Sequence, residues 1–251
     1  MVELIGPSWE IKNVEAVLFD KDGTLIDSHI YWGEIIKRRS RALIGKLKLN
    51  ESIYEPLCLT MGFSLADEKL LPNGPIALVS REEVIKILTD YFDKKNIKTS
   101  REEITDIFLK AHTDFLKEFN KYTKILPGAK EALGALKEKG VKTVLITSDS
   151  IKNTTQIVEY LGLQDYFDLL IGKELTPEPK ATGMPAIIAC KKLDIDPENT
   201  ICVGDAPMDL LMAENANLKA CIAISLGQTP YAELKKISKY IVKDYSELTI
   251  K

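Results

Sequence analysis

The stretch Val14-Glu15-Ala16-Val17-Leu18-Phe19-Asp20-Lys21-Asp22-Gly23-Thr24 decides how this chain is read. A mostly apolar, β-prone run delivers two aspartates into a glycine turn, the pattern of a strand that ends in a site. Side chains alternate along a strand, so Asp20 and Asp22 share one side and can both meet a ligand beyond the strand's carboxyl edge. Gly23 lets the chain turn sharply there. Two carboxylates this close repel each other unless a cation lies between them or one stays protonated. An ionised aspartate is also a nucleophile that can accept a phosphoryl group, splitting one difficult hydrolysis into two displacements. Its neighbour can then move protons.

Outward from this segment, the sequence from about residue 126 alternates short apolar runs with amphipathic helix patterns, the signature of a mainly parallel sheet. Strands are predicted at 141–147, 168–171, 200–204 and 220–225, and helices at 128–139, 152–161, 184–193, 207–216 and 231–237. The strand at 14–19 has no partner nearby in sequence and is expected to join the later sheet. Between them, helical patterns at 29–47, 53–61, 81–94 and 101–122 come with almost no strand signal. The expected fold is α/β, with a Rossmann-like three-layer core over residues 1–25 and 126–251. An α-helical cap is inserted at 26–125. Ligands of open α/β sheets lie outside the carboxyl ends of the strands, so an insert leaving just after the first strand is expected to act as a lid.

The 251 residues are 45% hydrophobic, enough for a substantial core. A net charge of -3 and a pI near 5.6 give no electrostatic reason to bind nucleic acid or an anionic membrane. Small-molecule chemistry is expected. The N-terminus lacks the basic region and apolar core of a signal peptide, and no apolar run approaches the ~20 residues of a membrane span, so a cytoplasmic protein is expected. Cys58, Cys190, Cys202 and Cys221 are widely spaced and read as buried thiols. His29 and His112 are the only imidazoles, which argues against zinc. Nothing in the chain sets an oligomeric state.

Three further clusters follow in order. Thr147, Ser148 and Asp149 close the strand predicted at 141–147; a hydroxyl there can donate to a phosphoryl oxygen, or the cluster can cap the next helix. Lys180 ends the loop Glu174-Leu175-Thr176-Pro177-Glu178-Pro179-Lys180, where a fixed ammonium can neutralise a nucleophile and a phosphoryl oxygen together; Lys173 competes for that duty. Asp205 and Asp209 follow the strand at 200–204 one helical turn apart, so both can approach one cation. Oxygen-only ligands suit magnesium, although either aspartate can also cap the helix starting near Pro207.

In this order the clusters resemble the haloacid dehalogenase-like hydrolase superfamily, in the branch with a helical cap after the first motif. That branch includes phosphoglycolate phosphatases and β-phosphoglucomutases. The resemblance implies that Asp20 is the nucleophile, Asp22 the general acid/base and Lys180 the lysine that steadies their charges. It implies Thr147 as the phosphate-binding hydroxyl, with Gly23, Thr24 and Ser148 also at the substrate. Mg2+ is implied as cofactor, held by a carboxylate oxygen of Asp20, the backbone carbonyl of Asp22, Asp205 and Asp209. An acid at position 22 points to phosphoryl transfer rather than halide displacement. The activity expected is that of a magnesium-dependent phosphatase acting on a small phosphorylated metabolite, a phosphoglycolate-like phosphoacid or a sugar phosphate. A phosphomutase would use the same clusters, and a phosphate-sensing binding protein would not require the Asp20/Asp22 pair.

Two departures stand out. Ser148 occupies a position where relatives commonly carry asparagine, and Lys180-Ala181-Thr182-Gly183-Met184-Pro185 replaces their Lys-Pro-x-Pro string. These leave the chemistry intact and the substrate subfamily open. In the insert, Lys37-Arg38-Arg39-Ser40-Arg41 reads as a solvated helix face and Tyr31 and Trp32 as cap packing. His29 is placed either to reach the site or to pack the hinge.

Overall fold

The computed structural model describes every residue except Pro177, and every side chain among those except that of Ala77. Pro177 belongs to the proline-rich loop before Lys180 and lies outside the described residues. The chain divides into two compact units, Met1–Asp27 with Lys124–Lys251, and Ser28–Thr123.

Elements are numbered in chain order. In the first unit β3 (Ala16–Phe19) lies in a six-stranded sheet with β6 (Lys142–Ile146), β7 (Leu169–Ile171), β8 (Thr200–Gly204), β9 (Ala220–Ile224) and β10 (Ile241–Val242). The order is β10-β9-β8-β3-β6-β7, and every paired neighbour is parallel. A sheet buried on both faces needs apolar residues at consecutive positions, and β3 and β8 are buried throughout. Alternation then sorts them. Val17, Phe19, Leu145, Val203 and Ile222 join a core with α6 (Ala129–Glu138) and α7 (Ile151–Tyr160). Leu18, Val144, Ile146 and Cys202 join another with α8 (Met184–Leu193) and α9 (Pro207–Asn215). The result is a three-layer α/β core, with α10 (Tyr231–Ile237) before β10.

The strand predicted at 14–19 is interrupted. β1 (Val2–Gly6) and β2 (Trp9–Val14) form a hairpin that pairs with β11 (Thr249–Ile250) in a separate sheet. Asn13 adopts a φ of 55°, a left-handed conformation that asparagine tolerates, at the register shift of the hairpin just before Val14 pairs with Val2. The hairpin escapes a periodicity reading because its polar residues dilute the alternation; the Trp9 indole nevertheless donates to the Ile241 carbonyl at 3.1 Å. All four cysteines are free and buried, as expected.

The second unit contains α1 (Ser28–Leu47), α2 (Tyr54–Thr60), α3 (Arg81–Lys94), α4 (Arg101–Leu116) and α5 (Phe119–Tyr122). It also holds a two-stranded piece, β4 (Phe63–Ser64) with β5 (Lys69–Leu70), that the sequence reading did not anticipate. Ser80 and Ser100 cap α3 and α4 by accepting from the amides of Glu83 and Glu103. The single helix expected over 101–122 breaks after Leu116. Arg38 Nη1 donates to the Asp114 carbonyl and Nη2 to Glu118 Oε2, while the Glu118 amide turns to the Phe115 carbonyl.

The basic run is not a uniformly solvated face. Five consecutive residues span more than one helical turn, so some must point inward with Ile36, Leu43 and Ile44. Arg39 is only 3% exposed and stacks on the Phe108 ring, 4.3 Å from its centroid, and Ser40 is fully buried. Tyr31 is buried, edge-on to Trp32 and Phe115, the packing role expected of it. His29 Nδ1 accepts from the Leu70 amide at 3.1 Å.

Candidate active site

The amide of Asp20 continues the ladder by donating to the Val203 carbonyl, so the carboxylate leaves the sheet at the carboxyl ends of β3 and β8. Lys180 reaches it from the one-turn segment Lys180–Thr182. The ammonium donates to Asp20 Oδ1 at 2.5 Å and to the Ile146 carbonyl at 3.4 Å. It also lies 2.6 Å from Asp209 Oδ1, an ion pair outside hydrogen-bond geometry. Burial opposes that charge, but the carboxylates of Asp20 and Asp209 outweigh it and hold the ammonium well above its ordinary pKa. Lys173, the competitor, is exposed.

Asp205 and Asp209 follow β8. Asp209 takes the capping role considered for it: Oδ2 caps α9 by accepting from the Ala206 amide at 3.0 Å, while Oδ1 faces Lys180. Asp205 Oδ2 accepts from the Gln228 amide at 3.1 Å. Its surroundings are built from glycine. A Cβ on Gly227 would fall 1.9 Å from Asp205 Oδ2, and one on Gly23, whose φ is +85°, would fall 2.5 Å from it. Burial, followed by the charges of Asp20 and Asp209, pushes the Asp205 carboxyl well above the usual carboxylate range. Burial likewise raises Asp209 to about 6.

One carboxylate oxygen from each of Asp20, Asp205 and Asp209 lies within 4.8 Å of the others. The donor set is oxygen only, and burial makes the charged forms costly without a counter-charge. Those properties fit a hard divalent cation of the magnesium type. The Asp22 side chain is not in this trio. It is paired with Lys21, whose ammonium lies 3.1 Å from Asp22 Oδ2 and 3.1 Å from Asp149 Oδ2. Burial raises Asp22 to about 6, against the lowering influence of Lys21. Four carboxylates thus pair with two ammonium groups, and Asp205 lies beside two of them.

At the end of β6, Thr147 is mostly buried, and its Oγ1 accepts from the Asp149 amide at 3.1 Å. Ser148 beside it is exposed, and Ser150 is the cap of α7. Thr24 is fully buried, and its carbonyl accepts from the Tyr245 hydroxyl at 2.8 Å. Lys21, the Asp149 side chain and the Gly227-Gln228 pair were missed as site residues. The last pair had a readable signal, since it follows the strand predicted at 220–225. Lys21 had none beyond its position between two acids.

A family model described as haloacid dehalogenase-like hydrolase matches residues 14–217. Among similar proteins, the phosphoglycolate phosphatase of Aquifex aeolicus is 30% identical, over 84% of this chain and 85% of its own length. The protein named "Putative pyrophosphatase PpaX" in Caldanaerobacter subterraneus is 28% identical over 94% of this chain and 93% of its own. The crystal structure of a "predicted phosphoglycolate phosphatase" from Haemophilus somnus superposes with a TM-score of 0.75 at 20% identity, covering 94% of this chain and 96% of that one. Among the described residues, no helix is long and apolar enough to cross a membrane.

Proposed function

Because the chain belongs to the haloacid dehalogenase-like hydrolase family, we propose that it is a magnesium-dependent phosphatase working through a phosphorylated Asp20. The observation that carries this reading is the contrast between two aspartates two residues apart. Asp20 is held by the Lys180 ammonium, as a nucleophile should be, whereas burial raises Asp22 to about 6, where a carboxyl can both give and take a proton near neutrality. A binding protein would have no use for that division.

Asp20, Asp205, Asp209 and the backbone carbonyl of Asp22 would hold Mg2+. When bound, the ion supplies positive charge to the transferring phosphoryl group. An oxygen of Asp20 attacks phosphorus, and the Asp22 proton passes to the departing oxygen as the phosphorus–oxygen bond breaks. Water then attacks the phosphoryl group, gives a proton to Asp22 and regenerates the Asp20 carboxylate. Lys180 keeps Asp20 in place and offsets charge in both steps. Thr147 and Ser148, with the backbone around Gly23 and Thr24, are assigned to the phosphoryl oxygens. The names of the similar proteins favour a phosphoglycolate-like phosphoacid as substrate, and choice among small phosphorylated metabolites is assigned to the cap, residues 26–125.

The test is phosphate release from a panel of phosphoacids, sugar phosphates and pyrophosphate, with magnesium and with chelator. Magnesium-dependent release from a phosphate monoester is expected. A stable phosphoenzyme without release would overturn hydrolysis in favour of a mutase.

A further inference from the structure

We propose that Lys21 and Asp149 are positioning residues for Asp22, and that their ion pair fixes which carboxyl oxygen of Asp22 handles the proton. This rests on the phosphatase reading above and extends it to two side chains given no role there. Lys21 sits between the first-motif aspartates, yet it is only 1% exposed, where an ammonium persists only if paired.

Its Nζ bridges Asp22 Oδ2 and Asp149 Oδ2 at 3.1 Å each. Asp149 is fixed in turn, because its Oδ1 accepts from the Ser150 amide at 2.7 Å and from Asn153 Nδ2 at 3.4 Å. A continuous polar chain therefore runs from the first turn of α7 through Asp149 and Lys21 to Asp22. With Oδ2 engaged by the ammonium, the other oxygen, Oδ1, is buried and has no hydrogen-bond partner among the described residues. It is the atom left to carry the proton. One held orientation serves both half-reactions. In the first, the Oδ1 proton goes to the leaving oxygen while the bond from Asp20 to phosphorus forms; in the second, a proton from water returns to Oδ1 while that bond breaks.

An ion pair that merely anchored a loop would not distinguish leaving groups, whereas one that aims a proton would. An alkoxide needs the proton to depart; p-nitrophenolate does not. The experiment compares 2-phosphoglycolate, or whichever alkyl phosphate the wild type turns over fastest, with p-nitrophenyl phosphate at saturating magnesium. In Lys21→Met, kcat on the alkyl phosphate is expected to fall about 100-fold with KM little changed. The first-turnover release of p-nitrophenolate should fall less than about 10-fold and appear as a burst, because a correctly held Asp22 Oδ1 is still needed to take the proton from water when the phosphoenzyme is hydrolysed. Lys21→Arg should restore most of the loss. Removing one partner strands the other charge, so if Lys21→Met fails to fold, Lys21→Met/Asp149→Asn removes both charges and carries the same expectation. Equal losses on both substrates, with no burst, would overturn the positioning role. Asp20→Asn run alongside separates the two claims. A wild type that hydrolyses neither probe, or an Asp20→Asn protein as active as wild type, would contradict the phosphatase reading and this inference with it. An active, Asp20-dependent enzyme with an unchanged leaving-group ratio in Lys21→Met would contradict the inference alone.

Discussion

The two units bury charge in different ways. At the carboxyl end of the parallel sheet, acids outnumber ammonium groups, and Lys21 and Lys180 each bridge two of them. In the helical unit, Arg39 is as deeply buried but meets the Phe108 ring and no carboxylate among the described residues. Burial and the nearby Arg81 lower its pKa to about 9. The lesson is that burial of a charge does not by itself mark a site. An excess of mutually repelling acids around a few fixed cations is costly to keep and implies a use, whereas a lone arginine over an aromatic ring is adequately explained by packing and a cation–π contact.

That contrast breaks first at Asp20. Asp20→Asn should lower turnover by more than about 10⁴-fold while the protein remains folded by circular dichroism. A loss of only a few-fold would make the acidic cluster structural after all. Next comes Gly227→Ala, whose new Cβ would overlap Asp205 Oδ2. A displaced carboxylate should cost roughly 100-fold in kcat/KM and weaken magnesium dependence, read from activity against magnesium concentration.

The acids also give a stability prediction with a definite sign. Asp22 and Asp209 rise from 3.8 to about 6 on folding, so the metal-free protein binds protons that the unfolded chain does not, and its stability falls as pH rises through that window. A cation that favours the ionised carboxylates restores stability above it. Adding chelator should therefore lower Tm by several degrees at about pH 8 and by much less at about pH 5. Equal shifts at both would argue against a cation among the acids. Smallest is Arg39→Met, which removes a buried charge with no carboxylate partner among the described residues and keeps its bulk; stability should change by less than about 1 kcal/mol and kcat hardly at all. A large loss of activity would give the helical unit a functional charge that packing does not explain.

The same contrast explains what was legible in the sequence. Asp20 and Asp205 could be singled out because each follows an apolar strand of an alternating α/β pattern, whereas Lys180, with Lys173 as its competitor, was marked only by the family resemblance; the alternation also gave the order of elements. The Thr147–Asp149 cluster was read as a phosphate-binding hydroxyl or a helix cap, and the preference that marks helix starts cannot reveal that the Asp149 carboxylate turns toward Lys21. Arg39 was read as solvated because a run of basic residues hides which of them the helix turns inward. The terminal hairpin and β11 were invisible for another reason: β1 finds one of its partners more than two hundred residues away, at Thr249–Ile250, and no local pattern encodes that pairing.

Every other assignment depends on Asp20 carrying the phosphoryl group. The direct measurement is rapid acid quench of the enzyme turning over its best phosphate monoester, followed by peptide mass spectrometry. Phosphoryl-aspartate at Asp20, absent from Asp20→Asn and lost on chasing with unlabelled substrate at the rate of turnover, is the predicted result. Phosphate release at full rate with no phosphoryl group on Asp20, or one located on another residue, would contradict it.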